Sequence, residues 1–142
     1  MTSRASDELI DALAQTTFAV LPTLTRIAAE FDLSLTQLRL FGILRDHSPR
    51  IVELADVLGL DKSSVSGLVD RAAERGLVRR VRDSADKRVV RVEMTTQGRE
   101  LATHGMERLN AELVPLVSLI DTDAQRTLAR SIHTLLTMAT AR

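Results

Sequence analysis

Between Lys62 and Glu74 the sequence KSSVSGLVDRAAE sets short hydroxyls and charges against an apolar stripe. Val65, Leu68, Val69 and Ala72 recur at helical spacing and define an inward side. Lys62, Ser63, Ser64, Ser66, Gly67, Asp70, Arg71 and Glu74 take the other side. Its first two turns carry no bulky group, so this side of a helix can approach another surface closely. Hydroxyls and cations there can bond base edges or phosphate oxygens. Serines also start helices well, and serine content alone favours that plainer role. A second cluster follows at Asp83-Ser84-Ala85-Asp86-Lys87-Arg88, a polar hairpin tip. An arginine at such a tip can enter a narrow minor groove, where the negative potential is enhanced. Asp86, two residues away, can hold Arg88 by an ion pair. Taken alone, the tip is an ordinary charged surface loop.

Other chemistries find little support. No nucleophile–base set, phosphate loop or paired-carboxylate motif is present, so no catalytic residue is assigned and an enzyme is not expected. His47, His104 and His133 lie far apart in sequence, none in a ligand-spaced pair, so neither a metal site nor a cofactor is expected. Glu100 and His104 read as a surface pair. The absence of cysteine excludes disulfides, thiolate metal sites and thiol redox sensing by this chain. The N-terminus lacks the apolar region of a signal peptide, and no apolar run approaches the roughly 20 residues of a membrane span, so a cytoplasmic location is expected.

The elements that must position these clusters follow from periodicity and caps. The spacing predicts a long helix over 6–31, with Pro22 inside it. Ser34-x-x-Gln37 has capping-box spacing and starts a second helix, with Leu35, Leu38, Phe41 and Leu44 buried. Arg50–Ile51 reads as a short strand and Val52–Leu58 as a two-turn helix closed by Gly59. Asp61 caps the next helix, so helix, three-residue turn and helix follow in order. Gly76 stops that helix. Leu77–Asp83 and Val89–Met94 are strand-like, the latter with Val90, Val92 and Met94 alternating. Thr95 or Thr96 caps a helix to about Ile120, with Pro115 inside. Thr122-x-x-Gln125 suggests a capping box for a last helix, striped by Leu128, Ile132, Leu135, Leu136 and Ala139.

Composition agrees with this plan. The chain has 142 residues, one domain's worth, and the only aromatics are Phe18, Phe31 and Phe41, so its core must be aliphatic. Net charge is zero, but residues 62–99 hold ten Lys/Arg against five Asp/Glu, leaving nine against fourteen elsewhere. A basic centre between acidic flanks can present one basic face to a polyanion.

The segments LTQLRLFGIL and ELADVLGLDKSSVSGLVDRAAERGLVRRVRDSADKRVVRVEMTTQG resemble the MarR family of transcriptional regulators. The likeness covers about residues 34–100. It rests on the LDKSSVS helix start, Gly76-Leu77-Val78 with Arg80, Asp86-Lys87-Arg88, and Met94-Thr95-x-x-Gly98, in that order. It implies a mainly α fold with a small β wing: a winged helix-turn-helix over 34–98, dimerisation helices over 6–31 and 99–141, and one domain over 1–142. It implies a homodimer that binds double-stranded DNA at a pseudo-palindromic operator, usually as a repressor, and that a small anionic or aromatic effector can release. The matching DNA-contact positions are Lys62, Ser63, Ser64, Ser66 and Arg71 on the recognition helix, with Lys87 and Arg88 on a wing supported by Asp86. The effector pocket would lie between the first two helices and the fifth, near Leu21, Arg26, Arg39, Phe41 and Met106. The absence of Trp and Tyr argues against a stacked aromatic effector. The competing expectation is a winged-helix protein-interaction module that does not bind DNA.

Overall fold

The computed structural model describes residues 3–141; Met1, Thr2 and Arg142, the ends of the expected one-domain span, lie outside them. Six helices and two strands follow in order: α1 (Arg4–Glu30), α2 (Leu35–Leu44), α3 (Ile51–Leu58), α4 (Lys62–Glu74), β1 (Val78–Arg82), β2 (Val90–Met94), α5 (Thr96–Val117) and α6 (Thr122–Thr140). The mainly α fold with a β wing is the one expected.

Local signals set most boundaries. Ser34 and Gln37 form the reciprocal capping box that starts α2, with bonds of 3.1 and 2.9 Å. Gly59 closes α3 in the left-handed conformation, φ 66°, where a side chain would be strained. Asp61 caps α4 and Thr95 caps α5. Two local expectations need correction. Only Arg50 of the expected Arg50–Ile51 strand pairs, as a single bridge to Arg91, and Ile51 begins α3. Glu53 accepts the Arg50 N–H at 3.0 Å and so turns the chain into the helix. At α6 the cap is Asp121, which accepts from Asp123 and Ala124 at 3.0 Å. Gln125 instead donates to the carbonyls of Val117, the last residue of α5, and of Ile120 in the turn that follows.

One core serves the middle of the chain. Leu40, Leu54, Val65, Val69 and Val92 are each fully buried and join α2, α3, α4 and β2. β1 and β2 pair antiparallel with Val78 opposite Met94 and Arg80 opposite Val92, and Val78, Val92 and Met94 join this core. The outer helices are held differently. α1 packs on α5, where Arg26 bonds Glu112 through two nitrogens (3.0 and 3.1 Å) and Arg108 bonds Glu30 likewise (2.8 and 2.9 Å). These guanidiniums hold both carboxylates below their ordinary range. α6 has no buried residue. Leu128, Leu135, Leu136 and Met138 on it lie open, as do Leu9, Ile10 and Phe18 on α1, Leu116 and Val117 on α5, and Leu119 just after it.

Candidate nucleic-acid interface

α4 divides cleanly into two sides. Val65, Leu68, Val69 and Ala72 are buried, and Lys62, Ser63, Ser64, Asp70 and Arg71 are exposed. The Asp61 carboxylate sits where the first backbone N–H groups of α4 lack partners. One oxygen accepts from the Ser63 hydroxyl at 2.7 Å and the Ser64 N–H at 2.8 Å; the other accepts from the Ser64 hydroxyl at 3.0 Å. These bonds, that of Ser63 first, hold the Asp61 carboxyl down at about 2. The serines therefore serve the cap in this state, and their oxygens keep lone pairs free to accept. A base edge or phosphate that needs a hydroxyl donor must draw it from Asp61. Ser66 is half-buried and differently engaged: its hydroxyl lies 3.1 Å from Arg80, which also pairs with Asp70 at 2.6 Å. Lys62 and Arg71 are the exposed cations of this side.

The depressed carboxyl fixes the sign of an acid response. A group whose pKa falls on folding contributes stability above its unfolded value and loses it as pH drops through its folded value. Asp61→Ala is expected to lower the melting temperature at neutral pH. It should also remove the part of the acid loss that falls between about 3.8 and about 2. Melting curves of both proteins across that range check it; parallel curves would contradict the role of the cap.

The wing is ordered from its base. Arg91 on β2 donates to Asp83 at 2.6 Å and to the Ser48 carbonyl at 3.2 Å, tying the start of the tip to the α2–α3 loop. The Arg91 guanidinium holds Asp83 below the ordinary carboxylate range, and backbone N–H groups of the tip add to the effect. At the tip, Asp86 accepts from the Arg88 side chain through two nitrogens, both at 3.1 Å, and from its backbone N–H. The ion pair expected two residues apart is formed, and Arg88 remains 92% exposed. Lys87 is exposed beside it.

A cavity of about 350 Å³ lies between α1, α2 and α5. Leu21, Arg39, Phe41 and Met106 line it, with Leu24, Phe31, Leu35, Leu38, Arg45 and Leu101 among the others. Arg26 is not brought there; Glu112 of α5 and Glu30 hold it at the α1–α5 contact. Sequence reasoning missed Arg45, Gly42 and Gly105, all in the cavity wall. The signal was available for the glycines, since glycine inside a helical pattern costs about 1 kcal/mol relative to alanine and calls for a reason. For Gly98 the reason is contact: a Cβ there would collide with the Leu77 carbonyl oxygen. For Gly42 no such reason exists, because a Cβ would meet nothing within 4 Å. One at Gly105 would only reach the Phe31 ring, at 4.0 Å. Among the described residues no group of three or more His, Asp or Glu could hold a metal ion, and no helix is long and apolar enough to cross a membrane.

Comparison with known proteins places these features in a family context. Residues 31–89, from the end of α1 to the wing, match the MarR family. A curated relative, the uncharacterized HTH-type transcriptional regulator YfiV of Bacillus subtilis (strain 168), is 27% identical over 73 residues, 51% of this chain and 46% of YfiV. The matches to curated relatives span about half the length of those proteins. Among solved structures, a MarR family protein from Bacillus stearothermophilus superposes with a TM-score of 0.82 at 23% identity, covering 99% of each chain. CouR from Rhodococcus jostii RHA1, bound to p-coumaroyl-CoA, gives 0.77 at 23% identity, covering 95% of this chain and 96% of that one. The similarity in fold therefore extends to the outer helices, where the sequence match does not.

Proposed function

From the match of residues 31–89 to the MarR family, we propose that this chain is a transcriptional regulator that binds double-stranded DNA as a homodimer. The observation that carries this is the division of α4: one side supplies four residues to the core, and the other holds Lys62, Ser63, Ser64 and Arg71 at the surface. Arg88 and Lys87 add exposed cations at the wing tip. In this reading α4 enters the major groove, where the short side chains allow close approach, and Arg88 follows the adjacent minor groove. The open apolar stripes of α1, α5 and α6 supply the surface for a second copy. Two recognition helices would then meet successive major grooves about 34 Å apart, which requires a pseudo-palindromic operator. Repression, by occupying a promoter from the cytoplasm, is the mode this arrangement suits. The cavity between α1, α2 and α5 is where a small effector would act, as the p-coumaroyl-CoA complex of CouR suggests for a similar fold.

Titration of a selected operator at several salt concentrations tests the reading. Counterion release makes the affinity of a DNA reader fall steeply as salt rises. Arg88→Ala is expected to weaken operator binding by roughly tenfold and to flatten the salt dependence by about one phosphate contact, with an unchanged melting temperature. Full affinity in a folded Arg88→Ala dimer would remove the wing from the interface. Negligible binding at any salt would favour an interaction module without DNA.

A further inference from the structure

We propose that the cavity between α1, α2 and α5 takes an aliphatic carboxylate, a fatty-acid-like anion, whose head group draws Arg39 away from the end of α3. The proposal rests on the effector reading above and names the ligand class for that site.

The wall itself selects the body of the ligand. Leu21, Leu24, Leu35, Leu38 and Met106 dominate it, and no Ser, Thr, Tyr, His, Asn or Gln side chain lines it. A hydroxyl buried away from Arg39 and Arg45 would find no partner there, which is costly, whereas a methylene chain needs none. The space is also held open by the sequence. Gly42, in mid-α2, faces it with a bare backbone where a side chain would clash with nothing.

The polar ends select the head. Arg39 and Arg45, three residues either side of Gly42, are the charged side chains of the wall, and no carboxylate lines it. Arg45 already holds Asp46, at 2.9 and 3.0 Å. Arg39 bonds a neutral acceptor, the Val57 carbonyl oxygen, at 2.8 Å. A carboxylate accepts more strongly from a guanidinium than a carbonyl does, and can take two N–H groups at once. Val57 lies in the last turn of α3, where carbonyls have no partner within the helix. Arg39 thus caps α3 just before the Gly59–Leu60 turn that aims α4. An anion that claims Arg39 uncaps α3 at that turn.

The test uses the full chain, dodecanoate as probe, 1-dodecanol and 4-hydroxyphenylacetate as comparison ligands, and the selected operator duplex. Dodecanoate is expected to bind and to weaken the duplex complex. Dodecanol should bind about tenfold or more weakly for want of the charge-assisted bonds, and 4-hydroxyphenylacetate no better than dodecanol. Gly42→Leu should fill much of the cavity and abolish the dodecanoate response, with duplex affinity unchanged in its absence; Gly42→Met, with an unbranched side chain of similar bulk, serves if the leucine variant does not fold. Arg39→Gln, which lacks the cap from the outset, should bind the duplex more weakly than the parent without ligand and lose nothing further on addition of dodecanoate. Equal binding of alcohol and acid, a response that survives cavity filling, or an Arg39→Gln protein that binds the duplex as the parent does or still responds to dodecanoate each overturns the proposal. Tighter binding by the aromatic acid overturns the aliphatic assignment and leaves the effector reading standing. A duplex affinity that none of the three alters removes both.

Discussion

A chain lacking residues 128–142 is expected to remain folded, to lose its dimer, and to bind the operator far more weakly. The first outcome follows from the core: α6 contributes no buried residue to it. The second follows from what α6 leaves open, since Leu128, Leu135, Leu136 and Met138 are all exposed. Isolated exposed leucines are ordinary, but an apolar stripe on one helix, continuous in character with those of α1 and α5, is an interface signature. Covering four such side chains is worth on the order of 5 kcal/mol, so their loss should raise the dimer dissociation constant roughly a thousandfold or more. Operator affinity falls with it, because two linked recognition helices bind with the effective concentration that one lacks. Sedimentation, with circular dichroism to confirm the fold, reads the result. A truncated chain that still sediments as a dimer at micromolar concentration would place the interface elsewhere.

Gly98→Ala should unfold the winged helix at a lower temperature than any other single-methyl addition among the glycines of the helices. The added Cβ would point into the Leu77 carbonyl, which is backbone and cannot swing aside. That carbonyl also accepts the Thr95 N–H at 3.1 Å, and the Thr95 hydroxyl donates to the Gly76 carbonyl at 2.6 Å. The start of α5 is thereby stapled to the start of β1, and relieving the clash means opening the staple. Overpacking of this kind costs about 3 kcal/mol, and roughly 10 °C in melting temperature for a domain of this size. Gly42→Ala provides the contrast. It meets open space, and the helix gains up to about 1 kcal/mol from the better helix former. If the two substitutions shift the melting temperature alike, Gly98 owes its place to something other than the Leu77 contact.

What could be read beforehand was what short-range physics decides. Ser34 with Gln37, Gly59, and Val90, Val92 and Met94 each declare themselves within a few residues, because caps, left-handed turns and strand alternation are local. Asp86 with Arg88 was legible for the same reason. Partnerships across long sequence separations were not. Arg26 could be assigned to the cavity until Glu112, distant in the chain, claimed it. Nothing periodic marks Arg91 as the anchor of the wing, or Arg80 as the partner of Asp70 and Ser66. Asp121 and Thr122 compete for one cap, and the choice depends on where Gln125 finds carbonyls to bond. The serine-rich start of α4 was read correctly as a helix start. Its hydroxyls could not be assigned beyond that, since their donors can turn to Asp61 or outward.

The aromatic inventory of the cavity has an optical consequence. Phe31 and Phe41 stand in its wall, Phe18 is the third phenylalanine, and the chain has neither Trp nor Tyr. The protein is therefore almost dark above the phenylalanine band. A single tryptophan introduced at Phe31 would be its sole indole emitter, reporting occupancy at the cavity wall without subtraction of any native signal. Aromatic ligands and DNA would likewise be seen against an empty background in fluorescence and near-ultraviolet dichroism.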